Sequence, residues 1–404
     1  MKIVQLGIGI FAVPPPDNVA AGREQYIYWL AEYLSRQGCI VHVLDIKAQG
    51  QQQQKREQSS AKYHNIRRFL VLPSYNLPFL RDLGGHIIFA SQEFFFGLSA
   101  LIPLTGLIKK EQIDVIHTHQ RGAALFAVIA NKLRGSPAVV FYTPQLSTRV
   151  NTWLRKLAHL DEIIALKYVD HIIALTPAYK GLLVSEYVIK PDKITPIHVG
   201  TANDEIKQFL AQRGVRHEAK MVLCVGAIIP RKNQLTAVKA IAKVVKIHPD
   251  VKLVFSGPIG DTAYLSEINN FIKENGLSDY VKIKGSVSKG ELYRLYSEAM
   301  LFVFPTTDEV QPAVVMEALT FGLPVIASNI GPNTEVIKHQ PDSAILLDPY
   351  DVDGFASAIT RVMNDNDLLQ KMSCAAESLA ETLSYSNVAS ETITLYEKVK
   401  KDKK

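Results

Sequence analysis

Cysteine is scarce in this sequence, and what there is lies scattered. Cys39, Cys224 and Cys374 show no CxxC spacing, which argues against a disulfide scaffold or a zinc site and fits a reducing compartment. Met1-Lys2 runs straight into a strand pattern, so no secretory signal peptide is expected. No run of 18 apolar residues occurs; the nearest, residues 94–108, is broken by Gly97, Pro103 and Gly106. No transmembrane helix is therefore expected. Dense basic runs interleaved with aromatics are missing, which weighs against nucleic acid as a partner. The GIGIF run at 7–11 is not a GxGxxG fingerprint. No Asp-x-Asp stands at a strand end either. Asp351-Val352-Asp353 has that spacing but reads as an exposed helix start, so no divalent metal is expected.

What is present is ordinary for a globular enzyme: 404 residues, 47% hydrophobic and 21% charged, enough for two to three domains. The charge is uneven. Residues 1–200 hold 22 Lys+Arg against 14 Asp+Glu, or +8, and the remainder 23 against 25, or −2, which together give the net +6. A basic first half suits an anionic lipid or acceptor.

Strands and helices alternate along the chain. Residues 2–10, 22–38 and 40–46 make a βαβ unit with a glycine-containing loop before its helix. Residues 49–60 form a Gln-rich polar insertion, read as a loop. Residues 67–72 read as a third strand, and 74–110 as helix-rich and aromatic. Residues 114–119, DVIHTH, read as a strand whose two histidines share one face, with His119 at the C-terminal strand end where α/β sheets hold ligands. The polar stretch 201–218 reads as an interdomain connection. The same grammar then restarts, and two α/β halves leave a cleft between them as the expected ligand site.

Residues 301–328, LFVFPTTDEVQPAVVMEALTFGLPVIAS, carry the densest signal. They read as strand, acidic loop, short helix and strand, with Pro312 in the first helical turn and Gly322 just past the helix end. Glu309 and Glu317 are thus set to face a ligand held against a helix N-terminus.

These residues resemble the retaining, nucleotide-sugar-dependent glycosyltransferases of GT-B fold, family 4. The resemblance rests on Glu309 and Glu317 with the following Gly322-Leu323-Pro324. Gly22/Glu24, DVIHTH, VGAIIPRKN, the Ser-Gly-Pro turn at 256–258 and LLDPYD support it. It implies two Rossmann-like α/β domains facing each other across a cleft. The first, 1–203, would bind the acceptor and the second, 204–384, the donor, with a C-terminal helix at about 385–404 packing back on the first.

Residue by residue, the resemblance implies that Glu317 holds the ribose hydroxyls and Glu309 contacts the donor sugar. Pro312, Ala313 and Val314 would present the helix start to sugar or phosphate. Lys232 and Arg231 would neutralise the diphosphate, Gly22 would admit the phosphates, and His119 and Glu24 would lie near the acceptor. Gly285 and Val287 would flank the nucleobase. The chain departs from the family pattern at Ala227, where an Arg is usual, at Gln145, where a His is usual, and at Ala21-Gly22, where paired glycines are usual. Implied partners are a nucleoside diphosphate sugar as donor substrate, with no cofactor, and a glycan or lipid-linked acceptor. The expected location is cytoplasmic, with peripheral contact at the anionic inner membrane face. A same-fold sugar-nucleotide epimerase or a non-catalytic nucleotide-sugar-binding protein is the alternative.

Overall fold

Short apolar strands separated by amphipathic helices can bury both sheet faces only by parallel pairing with helices on either side. The computed structural model shows this twice. It describes residues 1–6, 22–46, 59–66, 84–144, 160–213, 220–309 and 311–403. Two compact units result: one of residues up to His198 plus Ser386–Lys404, the other of Val199–Tyr385.

The first unit runs β1 (Lys2–Leu6), α1 (Gly22–Arg36), β2 (Ile40–Ile46), β3 (Lys62–Ile66), α2 (Gly84–Glu111), β4 (Val115–Thr118), α3 (Arg121–Leu133), β5 (Val139–Tyr142), α4 (Leu160–Tyr168), β6 (His171–Ala174), α5 (Pro177–Tyr187) and β7 (Ile194–Pro196). Its sheet is parallel in the order β3-β2-β1-β4-β5-β6-β7. On one face Val4, Leu6, Ile116, Val140 and Ile172 pack with α2, α3, α4 and α5. The third strand is 62–66, just before the expected one, whose residues 67–72 lie outside the described residues, as do 49–58 of the Gln-rich insertion.

The second unit runs α6 (Asn203–Arg213), β8 (Met221–Val225), α7 (Gln234–Val244), β9 (Lys252–Ser256), α8 (Thr262–Glu274), β10 (Val281–Ile283), α9 (Lys289–Glu298), β11 (Leu301–Phe304), α10 (Ala313–Thr320), β12 (Val325–Ser328), α11 (Gly331–Ile337), β13 (Ala344–Leu347), α12 (Val352–Asn364) and α13 (Asn366–Thr382). Its parallel order is β10-β9-β8-β11-β12-β13. The period-2 alternation of Leu301-Phe302-Val303-Phe304 divides the core. Leu301 and Val303 face α7, α8 and α12, while Phe302 and Phe304 face α9, α10 and α13. The last helix, α14 (Tyr385–Asp402), returns to the first unit. There the Tyr396 hydroxyl meets His117 Nδ1 at 2.6 Å, and Lys400 and Lys403 pair with Asp114 and Asp170.

A further expectation is corrected. The polar stretch after residue 200 is not a bare connection. Residues 203–213 are helical because Ile206 is buried and Phe209 and Leu210 pack on the second core. Gly97, Pro103 and Gly106, which interrupt the apolar run, lie inside α2, a single helix of 28 residues. Its packing on α3, where Gly97 and Gly122 approach backbone to backbone, outweighs their poor helix propensity. Among the described residues no helix is long and apolar enough to cross a membrane.

Candidate active site

Parallel sheets gather ligands at the C-terminal strand ends where the strand order reverses. In the second sheet that point lies between β8 and β11. The loop after β8 ends in a single 3₁₀ turn, Pro230–Lys232, and Asn233 in the left-handed region at φ 52°. The loop after β11 carries residues 305–312. The two are stitched together. The Arg231 carbonyl accepts from Thr307 N–H at 2.9 Å and lies 3.2 Å from Thr306 Oγ1. Asn233 Nδ2 donates to the carbonyls of Pro305 at 3.1 Å and Pro349 at 2.7 Å.

This stitching brings Lys232 onto Glu309, 77 residues away, as a direct ion pair. Their side chains are only 13% and 9% exposed, so removal of either would strand the other charge in a poorly solvated place. Lys232 Nζ also lies 4.9 Å from the Phe304 ring centroid. Arg231 stands farther out, 3.6 Å from Glu309 and 43% exposed. The loop after β9 closes the rim. A Cβ on Gly257 would strike the Gly226 carbonyl, and Gly257 N–H donates to the Gly285 carbonyl at 2.9 Å.

Glu317 sits one turn into α10. It keeps partial contact with solvent, yet burial raises its carboxyl above the ordinary value, opposed by a hydrogen bond from Tyr296 and by the Lys289 charge. Tyr296 Oη donates to Glu317 Oε2 at 3.1 Å. Pro312 is the N-cap of α10, one position before the first turn expected for it, and Ala313 and Val314 open the helix. Gly285 is in the left-handed region at φ 68°, Val287 packs on the α9–α10 core, and Ser288 caps α9. The chain thus brings Arg231, Lys232, Glu309 and the start of α10 to one sheet edge. Asp351 is spent on capping Gly354 N–H at 2.8 Å, and Asp353 pairs with Lys243.

In the first unit the reversal falls between β1 and β4. His119 follows β4, buried, its ring 4.1 Å from that of His117 and 5.5 Å from that of Tyr26. Both ring nitrogens of His117 are engaged, by Thr143 at 2.7 Å and Tyr396, and burial lowers its titration to about 3. A neutral imidazole so engaged is unavailable to a metal. Gly22 opens α1. The side chain of Glu24, the loop 7–21 and Gln145 lie outside the described residues.

Sequence reasoning missed Tyr296, Lys289 and the tethering amide of Asn233. Asn233 stood within VGAIIPRKN but had no assigned role. Tyr296 carries no spacing signal, because it reaches Glu317 only through the packing of α9 on α10.

Comparison with known proteins agrees with this architecture. The family model described as Glycosyltransferase Family 4 matches residues 20–205, and that described as Glycosyl transferases group 1 matches 205–379. A UDP-Gal:alpha-D-GlcNAc-diphosphoundecaprenol alpha-1,3-galactosyltransferase of Escherichia coli is 28% identical over 290 residues, 67% of this chain and 72% of the relative. A glycosyltransferase from Rickettsia africae superposes with a TM-score of 0.73 at 19% identity over 98% of both chains. An Anabaena protein solved with UDP does so with a TM-score of 0.71 at 17% identity, over 98% of this chain and all (100%) of its own. These two likenesses speak to the fold. With two parallel-sheet α/β domains and both family models matched, the chain belongs to the family 4 glycosyltransferases of GT-B fold.

Proposed function

We propose that this glycosyltransferase moves a sugar, with retention, from a nucleoside diphosphate sugar to a hydroxyl of a lipid-linked glycan, without a divalent metal. The observation that carries the reading is the Lys232–Glu309 pair at the β8/β11 reversal, beside the start of α10. Breaking the bond from the anomeric carbon to the diphosphate builds negative charge on the leaving group. Lys232, Arg231 and the N-terminal end of α10 are a cradle for that charge. Glu309 is the hydrogen-bond acceptor for donor-sugar hydroxyls, and Glu317 for the ribose. Front-face attack, in which the donor diphosphate itself takes the acceptor's proton, needs no carboxylate nucleophile. The metal-free reading is supported by the two aspartates of 351–353 being spent on a cap and an ion pair; chelator leaving turnover unchanged is the expected result.

The acceptor class follows the Escherichia coli relative, whose name specifies a diphosphoundecaprenol-linked acceptor. Phe94, Leu98 and Ile102 form an exposed apolar stripe along α2, with Lys109 and Lys110 in its last turn. That combination supports a peripheral contact with an anionic bilayer. Failure to co-float with phosphatidylglycerol vesicles at low salt would count against it.

The donor reading is tested by melting the protein with UDP-, GDP-, ADP- and TDP-sugars, since a ligand that binds only the folded state raises Tm. One donor should raise it, and Glu317→Ala and Lys232→Ala should each weaken that donor by about tenfold or more. Donor-dependent transfer that survives both substitutions unchanged would remove these residues from the site.

A further inference from the structure

Glu317 is held from below by a tyrosine that the motif does not contain. Tyr296, in α9, is fully buried. Its ring stacks on Phe321 just past α10, with centroids 5.1 Å apart and planes 11° apart. Its hydroxyl lies 3.1 Å from Glu317 Oε2 and 3.2 Å from the Val314 carbonyl. One side chain therefore touches α10 at its start, its middle and its end. We propose that Tyr296 is a positioning residue that fixes the Glu317 carboxylate in the rotamer needed to receive the donor's ribose hydroxyls, an inference that rests on the donor reading above.

The chemistry is specific. A carboxylate has about four acceptor positions, so one O–H donor leaves room for two ribose hydroxyls. Among the described residues no protein group donates to Glu317 Oε1. An unheld glutamate would bring its rotamer freedom to the site and lose it on binding. The other titratable and charged groups around this pair are Lys289 and Tyr293 of α9, Glu205 of α6, which pairs with Lys289, and Cys224 of β8. None of these reaches Glu317 with a hydrogen bond.

The experiment uses whichever of UDP, GDP and ADP raises Tm most, together with its 2′,3′-dideoxy analogue. Tyr296→Phe keeps the stacked ring and removes only the hydroxyl. Calorimetric Kd should rise about tenfold for the ribonucleotide and hardly at all for the dideoxy analogue. Donor KM should rise likewise while kcat changes little. The pH profile supplies a readout that loosened packing would not move. Tyr296 holds the Glu317 carboxyl down against burial, so in Tyr296→Phe the acid loss of ribonucleotide affinity should begin at a higher pH. Equal weakening of both nucleotides, or no weakening of either, overturns the proposal. Should Tyr296→Phe melt too early to assay, Glu317→Asp tests the same point, because the shortened carboxylate should lose ribonucleotide affinity selectively. If Glu317→Ala discriminates the two nucleotides as the unaltered protein does, the assignment of Glu317 to the ribose falls, and this inference with it.

Discussion

Asn233 occupies a backbone conformation that favours Gly, Asn and Asp, and its amide ties together three segments. Nδ2 reaches Pro305 and Pro349, and Oδ1 accepts from Thr236 Oγ1 at 3.1 Å. Asn233→Asp keeps the acceptor and the φ preference but turns the donor into an oxygen facing two carbonyls. A loss of about 2–4 kcal/mol in urea unfolding is expected, with weaker donor binding because Lys232 is the preceding residue. Unchanged stability would show that the two carbonyl contacts carry little weight. At this scale the sequence was informative about placement, with Glu309 in the loop after β11 and Glu317 in the helix that follows. It was silent at Asn233 and Tyr296, whose roles depend on segments 72 and 21 residues away in the chain.

Between elements, the sharpest geometric demand is at the crossing of α2 and α3. A Cβ on Gly122 would strike the Glu93 carbonyl oxygen, and one on Gly97 the Gly122 carbonyl. Backbone on both sides cannot yield as a side chain can, so Gly122→Ala should cost about 1–3 kcal/mol by overpacking. Chemical denaturation measures it, and a cost under half a kcal/mol would contradict the crossing. Beside this contact Arg121 pairs with Glu93 at 3.1 Å, with both side chains nearly buried, so separation of the helices would also expose that pair. Strand and helix types were legible wherever apolar residues alternate or recur. Gly97, Pro103 and Gly106 left the length of α2 illegible, because propensity is a local preference while packing on α3 is tertiary. The polarity of 203–213 misled the reading of that stretch as a connection, because a few apolar residues suffice to seat α6.

Across the whole molecule, both sheets put loops from distant stretches at one edge, and the two-half organisation was legible from alternation alone. Burial-dependent protonation was not. On the strands of the first sheet burial lowers His42 and His171 from 6.5 to about 4 and His117 to about 3, and lowers His64 as well. The sign follows directly. As pH falls through 6.5 the unfolded chain takes up protons that the folded first unit refuses until about 4. Stability present at neutral pH is therefore lost across that window, by a few kcal/mol in sum. Amide exchange at pH 5 against pH 7, corrected for intrinsic rates, should show protection falling on β2, β4 and β6. His42→Gln should lessen the fall, and an unchanged fall in that variant would sink this account.

The return of α14 to the first unit bears on the order of synthesis. Chains emerge N-terminus first at about 5–20 residues per second, and early domains usually fold early. Here the face of the first sheet that holds His117 and Phe141 has to wait for Tyr396. Val199–Tyr385 is complete before that helix exists. In a released chain that stops at residue 385, protease should cut the first-made half readily and spare the later one. The opposite pattern would mean that the early half closes without its last helix.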